Sequence, residues 1–205
     1  MKIEVKNSVK LVDYNKSIKF LEKRVNDVLS GKKPELLWLL QHKTVYTAGV
    51  SSKSTDLLNK NISVIRTNRG GKHTLHGPGQ KVVYFVLNLN KRKKDIRKLV
   101  NKIENCIMDV LKEYRIESHT DRRNVGIWVY SKKKSKKVAA IGIRVKRWIA
   151  YHGFALNVSN DLSKYDNIIP CGIKDKQITS LKDLGICNYN NIDKIIIDKF
   201  LNIFH

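Results

Sequence analysis

One cysteine has neighbours that suit it to nucleophilic chemistry. Cys171 stands between Pro170 and Gly172 at the end of an apolar run. Proline fixes the backbone before the thiol and glycine permits a tight turn after it, so the sulfur is presented at the end of that run. A backbone N–H in such a turn also faces a developing oxyanion. Most lone cysteines are buried apolar fillers, and we interpret Cys106, on the apolar face of a predicted helix, and Cys187, after a Leu-Gly-Ile turn, as structural.

A lysine at the start of an apolar strand is the second candidate. Lys137 is the last charge before residues 138–143, VAAIGI. A side chain at such a point can be drawn partly into the interior of the protein. The alternative is a solvated surface lysine, because Lys137 is one of five lysines in residues 132–137.

Residues 69–80, RGGKHTLHGPGQ, contain four glycines and one proline. Glycine allows positive φ angles and lets a ligand approach the backbone closely. The segment is neither a Walker loop nor a GxGxxG turn that opens a helix, so it does not imply a nucleotide phosphate. With two histidines and an arginine among the glycines, it predicts a binding loop, and a long hairpin loop is the alternative.

A further segment, residues 151–155 with the sequence YHGFA, places small residues in an otherwise bulky strand. Small residues suit the wall of a pocket, and the alternative is a β-bulge. His152 lies in this segment. We interpret His76, and more distantly His42 and His152, as residues that orient a substrate or line a pocket.

The elements that must position these residues are short strands between three helices. Helical spacing of apolar residues extends over residues 18–29, 96–114 and 192–201, with Gly31 as a stop and Asn191 as an N-cap. Six runs have the composition of strands: residues 35–42, 62–68, 81–89, 125–130, 137–145 and 148–158. The pattern predicts an α/β fold of the α+β type, with a mixed, mostly antiparallel sheet in one domain over residues 1–205.

Composition adds limits on partners and compartment. Forty-one Lys and Arg against eighteen Asp and Glu leave a formal net charge of +23, which attracts anionic partners unless it only reflects a lysine-rich composition. The lysine clusters lack the interleaved aromatic residues of a nucleic-acid platform. No apolar run approaches the roughly 18 residues of a membrane span. Three cysteines without paired spacing argue against disulfides and a zinc site, which fits a reducing compartment. From these observations together we predict a cytoplasmic protein that binds neither nucleic acid nor membrane.

Taken together and in order, the segments resemble the lipoyl(octanoyl) transferase family, whose members move octanoyl from acyl carrier protein to lipoyl domains. The resemblance rests on eight stretches of sequence: QH at 41–42, VYT at 45–47, RGGKHTLHGPGQ at 69–80, VGIWV at 125–129, KVAAIGIRV at 137–145, HGFALNV at 152–158, PCGI at 170–173 and ITSL at 178–181. It covers most of the chain.

The resemblance implies a fold shared with biotin and lipoate protein ligases, an acyl thioester on Cys171 and a partner lysine at Lys137, with no cofactor or metal. It also implies an acyl pocket lined by Arg69, Gly70, Gly71, Lys72, His73, Thr74, Leu75, His76, Ala140, Ile141, Gly142, Gly153, Phe154 and Ala155. This chain departs from the family at Leu75, where an aromatic residue is usual, and at Lys72 and His73, which replace more neutral residues.

The implied reaction has two steps: the Cys171 thiolate attacks an acyl thioester, and an acceptor lysine then attacks the acyl-enzyme. The residues alone leave a Cys-His pair open as the alternative, and the resemblance favours Lys137 over His76 as the proton carrier. The implied donor is octanoyl-acyl carrier protein, and the implied acceptors are lipoyl domains of 2-oxoacid dehydrogenase complexes and the glycine cleavage H protein. Two alternatives remain, an ATP-dependent lipoate or biotin ligase, which needs no cysteine, and a basic nucleic-acid-binding module.

Overall fold

The computed structural model describes residues 2–131, 134–169 and 177–204, without the side chain of Gln177. Within this part the helices are α1 (Tyr14–Leu29), α2 (Ile96–Glu113) and α3 (Ile192–Phe204). The strands are β1 (Ile3–Asn7), β2 (Glu35–Leu40), β3 (Val45–Ala48), β4 (Val64–Arg66), β5 (His73–His76), β6 (Gln80–Asn88), β7 (His119–Thr120), β8 (Ile127–Ser131), β9 (Lys134–Lys146), β10 (Ile149–Asn157) and β11 (Gln177–Ile178).

The main sheet has the order β1-β2-β6-β10-β9-β8-β7, and β11 pairs with β9. The β1–β2 and β9–β11 pairs are parallel, and the other pairs are antiparallel. The expected mixed, mostly antiparallel sheet with flanking helices is therefore confirmed. The long strand β9 pairs with β10 from Ala139 onward and with β11 at Lys136 and Lys137, so β11 continues the line of β10 along the same edge.

Both faces of the main sheet are covered by helices. Along β2, Leu37 and Leu39 pack in the cluster that contains α2 and α3, whereas Leu36, Trp38 and Leu40 pack in the cluster that contains α1. This separation follows from the two-residue period of a strand, which sends alternate side chains to opposite faces. A strand between two apolar layers reads as a continuous apolar run, as ELLWLL does.

The three helices lie where the apolar spacing predicts them, and aspartates cap two of them. Asp13 and Asp95 accept hydrogen bonds from the backbone N–H groups of Lys16 and Lys98, each at 2.9 Å. The first helix begins four residues earlier than its apolar spacing indicates, because Asp13 sets its start. Among the described residues, no helix is long and apolar enough to cross a membrane.

A second, three-stranded sheet with the order β4-β3-β5 lies beside the main sheet. Sequence patterns predict a strand over residues 62–68, of which Val64–Arg66 forms β4, but they do not predict β3 or β5. The segment 73–76 was expected in a binding loop, and it forms a strand that pairs antiparallel with β3. Its residues, His-Thr-Leu-His, lack the β-branched alternation by which strands are found.

Candidate active site

A cavity lies between the glycine-rich segment and the adjoining strands β9 and β10. It encloses about 540 Å³ of empty space, counted out to its open mouth. Its walls come from residues 69–74 and His76, from Ala140 to Gly142 on β9 and from His152 to Ala155 on β10.

Most of the residues that the sequence nominates for an acyl pocket meet at this cavity. Those that line it are Arg69, Gly70, Gly71, Lys72, His73, Thr74, His76, Ala140, Ile141, Gly142, Gly153, Phe154 and Ala155. Leu75 is not among them. Its buried side chain packs instead with Tyr46, Tyr165 and Ile168 in a separate apolar cluster beside the small sheet.

Sequence reasoning missed three lining residues, Tyr14, Val82 and Tyr84. Val82 and Tyr84 are two apart on β6 and therefore share one face of the strand. Their spacing was a usable signal, although it does not distinguish a cavity wall from a core. Tyr14 comes from the first position of α1, and no motif in the sequence connects that helix with the glycine-rich segment.

The glycine-rich segment packs directly against the backbone of β9. The N–H of Gly70 donates to the Ile143 carbonyl at 3.1 Å, and a Cβ on Gly70 would lie 2.9 Å from that oxygen. The buried Arg69 guanidinium donates to the Thr47 carbonyl at 3.0 Å and to the Thr47 hydroxyl at 2.8 Å. Arg69 thereby joins β3 to the segment, so that Gly70 can cross over β9 at close range.

Buried His76 and His152 line the cavity, and buried His42 lies behind His76 with ring centroids 5.7 Å apart. The hydrogen bonds of these three histidines fix which nitrogen holds the proton. His42 Nδ1 lies 2.8 Å from the Val12 carbonyl, which can only accept, so Nδ1 is protonated and His42 Nε2 accepts from the Tyr84 hydroxyl at 2.9 Å. His76 Nδ1 donates to Gln80 Oε1 at 2.7 Å, because the Gln80 amide nitrogen donates elsewhere.

His152 follows the same logic on the other side of the cavity. Its Nε2 donates to Asn68 Oδ1 at 2.8 Å, because Asn68 Nδ2 donates to Glu22. Burial lowers the pKa of His76 to about 3 and that of His152 to about 3, and nearby cationic Arg69 adds to both effects. Burial also lowers the pKa of His42. The histidines beside the cavity are therefore uncharged at neutral pH, and Arg69 and Lys72 carry the positive charge of its wall.

These histidines predict a loss of stability in mild acid. Between pH 3 and pH 6.5, a histidine with a folded pKa of about 3 is neutral in the folded state and takes up a proton when the chain unfolds. Lowering the pH therefore stabilises the unfolded state relative to the folded state. For each of His76 and His152, the free energy of unfolding should drop by about 2 kcal/mol between pH 7 and pH 5. Urea unfolding at both values measures this drop.

His76→Gln should remove about 2 kcal/mol of the pH dependence while keeping a polar side chain beside Gln80. Carboxylates titrate mostly below pH 5, so they contribute little in this window. Equal stability of the unchanged chain at pH 5 and pH 7 would contradict the assignment of neutral buried histidines.

Lys137 is buried at 2% exposure at one end of the same strand β9. Its Nζ donates to the Val125 carbonyl at 2.9 Å and lies 4.7 Å from the centre of the Trp128 ring. Gly126 faces the end of the side chain, since a Cβ there would lie 3.1 Å from Nζ. The sequence left two interpretations of Lys137, a side chain drawn into the interior and a solvated surface lysine, and the structure has the first.

Cys171 lies outside the described residues, together with the Pro170 and Gly172 that flank it. The chain on both sides is anchored near the elements above. Before it, the Ile169 N–H donates to the Asp56 carbonyl at 2.7 Å. After it, Ile178 pairs with Lys137, and the Thr179 N–H donates to the Lys137 carbonyl at 3.0 Å.

A buried polar network connects the wall of the cavity with the backbone of Lys137. Gln80 accepts from His76 and donates to Asn157 Oδ1 at 2.9 Å. Asn157 Nδ2 donates to the Thr179 carbonyl at 3.0 Å, and Thr179 in turn is bonded to Lys137 through its N–H. Because buried polar groups without partners are costly, this network fixes the relative positions of the cavity and Lys137.

The other two cysteines have different surroundings. Cys106 is fully buried in the core on α2, and burial raises the pKa of its thiol to about 12. Its interpretation as a structural residue agrees with this environment. Cys187 is exposed, so it does not fill the core.

Comparison with known proteins identifies a family and close relatives. The family model described as the lipoyl protein ligase A/B catalytic domain matches residues 13–201. An octanoyltransferase of Anaplasma marginale (strain Florida) is 44% identical over 98% of this chain and 96% of its own. Octanoyltransferases of Wolbachia pipientis subsp. Culex pipiens (strain wPip) and Rickettsia peacockii (strain Rustic) are 43% and 46% identical, over 96% and 94% of this chain and 97% and 94% of their own.

Solved structures with the same fold are more distant in sequence. A bipartite lipoate protein ligase from Thermoplasma acidophilum aligns with a TM-score of 0.74 at 12% identity, covering 100% of this chain and 85% of its own. A lipoate-protein ligase A bound with ATP aligns with a TM-score of 0.74 at 14% identity, covering 98% and 86%. At this level of identity the similarity establishes the fold.

Proposed function

Because the chain belongs to the family of the lipoyl protein ligase A/B catalytic domain, we propose that it transfers an octanoyl group from acyl carrier protein to a lysine of lipoyl domains through a thioester on Cys171. Relatives that are 42–46% identical over nearly their full length are named octanoyltransferases. The observation that supports the chemistry most directly is the buried amine of Lys137, at one end of a strand that also borders the cavity.

In the first step, the Cys171 thiolate attacks the carbonyl carbon of the donor thioester. The bond from that carbon to the carrier sulfur breaks, and the departing carrier thiolate takes a proton from the Lys137 ammonium. A free thiol has a pKa of about 8.5 and is only slightly ionised at neutral pH, so it needs a neighbouring cation to become an efficient nucleophile. We assign that role to Lys137.

In the second step, the acceptor lysine attacks the Cys171 thioester as a free amine. The amide bond forms, the bond to sulfur breaks, and the proton lost by the attacking nitrogen passes to the Lys137 amine, which became neutral in the first step. The pair returns to thiolate and ammonium. One lysine thus acts first as acid and then as base, and no further reactant is required.

The cavity suits the acyl chain because its histidines are neutral and small residues line the strand. Lys137 and Ala140 are three residues apart on β9, or about 10 Å along the strand. A thioester held near Lys137 would therefore direct its hydrocarbon chain along Ala140, Ile141 and Gly142. The glycine-rich segment covers the chain from the other side.

The positive charge suits the proposed partners, which are acyl carrier protein as donor and lipoyl domains as acceptors, among them those of 2-oxoacid dehydrogenase complexes and the glycine cleavage H protein. Both kinds of partner are acidic, so a net charge of +23 would speed their encounter with this chain. Cys106 and Cys187 are free thiols, in keeping with a reducing compartment, and we propose the cytoplasm.

The test is the intact mass of the chain after incubation with octanoyl-acyl carrier protein in the absence of ATP. One octanoyl group should appear, peptide mapping should locate it on Cys171, and addition of a lipoyl domain should discharge it. The adduct should be absent from Cys171→Ser and present in Cys187→Ser, which removes the exposed cysteine instead. An adduct on Cys187, or transfer that requires ATP, would refute the proposal and favour the ligase.

A further inference from the structure

An open groove adjoins the cavity at the end away from Lys137. It lies between α1 and β4, and its empty volume, counted to the solvent, is about 1200 Å³. Ile18, Ile65 and Arg144 are among the residues that line it. On β9, Lys137 comes first, the cavity residues Ala140 to Gly142 follow, and Arg144 in the groove comes last, so the cavity lies between Lys137 and the groove.

Tyr14 lines both the cavity and the groove. Its ring is buried at 4% exposure and stacks on His76 with centroids 6.0 Å apart. Its hydroxyl donates to the Thr67 hydroxyl at 3.3 Å, and Thr67 also lines the groove. The side chain therefore extends from α1 across the boundary between the two spaces.

The position of this ring is fixed by its surroundings. Tyr14 is the first residue of α1, directly after the capping Asp13, and its carbonyl accepts from the Ser17 hydroxyl at 2.6 Å. On its other side the ring meets His42 edge-on, with centroids 5.3 Å apart. A ring packed against neighbours from other parts of the chain gives way less readily than a surface side chain.

We propose that Tyr14 closes the far end of the acyl cavity and sets the longest acyl chain that the enzyme accepts. The inference rests on the proposed function, which places the thioester near Lys137 and the hydrocarbon chain along β9. The methyl end then points toward Tyr14. An octanoyl chain spans less than about 11 Å from carbonyl carbon to methyl, and four further methylenes add at most about 6 Å. With Tyr14 in place, that added length meets a buried ring; without it, the added length enters the groove.

The experiment compares octanoyl- and dodecanoyl-acyl carrier protein as donors and reports the ratio of their kcat/KM values. Tyr14→Ala should raise the dodecanoyl-to-octanoyl ratio about 10-fold, since each methylene that enters an apolar site gains binding energy. Tyr14→Leu should give an intermediate ratio. Tyr14→Phe keeps the ring and loses only the bond to Thr67, so it should leave the ratio unchanged.

A second substitution shows where the longer chain goes. In the Tyr14→Ala background, Ile18→Lys places a charge in the groove and should cancel the gain for dodecanoyl with little effect on octanoyl. A ratio that stays constant across the Phe, Leu and Ala variants, or activity that falls equally for both donors, would overturn the role of Tyr14. Failure of the unsubstituted chain to transfer octanoyl at all would instead refute the proposed function.

Discussion

Replacing Lys137 by arginine should separate the two half-reactions of the proposed mechanism. The variant should still accept octanoyl onto Cys171, whereas transfer from the acyl-enzyme to a lipoyl domain should fall about 1000-fold. Arginine keeps the positive charge that favours the thiolate, but it does not give up its proton in proteins and cannot act as the base. Lys137→Met removes both charge and base and should slow both steps.

Intact mass measured over time, first with the donor and then with the acceptor, follows the two steps separately. Lys136→Arg is the matched control. Lys136 precedes Lys137 on the same strand and also pairs with β11, but its side chain is only partly buried, whereas that of Lys137 is buried. Thermal unfolding of each variant detects a packing defect, since Gly126 and Val125 leave little room around the Lys137 amine. Full turnover by Lys137→Arg would show that Lys137 is not the base.

The sequence predicts those parts of the fold that depend on local patterns. Apolar spacing locates α2 within one residue, and the apolar run at 35–42 contains β2, because in both cases the pattern and the buried face coincide. The segments 69–76, 140–142 and 153–155 could be assigned to one pocket only through the family resemblance. Their spacing along the chain says nothing about which strands are neighbours.

The sequence fails where a long-range contact decides the outcome. Residues 73–76 become a strand because β3 offers them hydrogen-bond partners, and no pattern within the four residues shows this. Leu75 then packs against Tyr165 and Ile168, which follow it by about ninety residues, rather than lining the cavity. Tyr14 was missed for the same reason, since its place in the cavity depends on how α1 packs on the main sheet.

Gly153→Ala should produce the largest loss of stability among single-atom changes near the cavity. A Cβ at this position would lie 1.9 Å from the Val83 carbonyl oxygen, well inside contact distance. Val83 belongs to β6, which is paired with β10 on one side and β2 on the other, so the obstacle is backbone that cannot move away. We expect the free energy of unfolding to fall by more than about 4 kcal/mol, or the variant to be recovered unfolded.

Gly77→Ala is the matched control, because its nearest non-neighbouring atom would be an ordinary 3.6 Å from the new Cβ. Urea unfolding should place it within about 0.5 kcal/mol of the unsubstituted chain. The comparison decides why residue 153 is glycine. If the requirement is close packing of β10 on β6, stability falls; if it is room for a substrate, Gly153→Ala stays folded and only its acyl-chain preference changes. The 1.9 Å distance between a Cβ at residue 153 and the Val83 carbonyl oxygen favours the packing explanation. Glycine at this position is then required for β10 to pair with β6 in the sheet that supports the cavity.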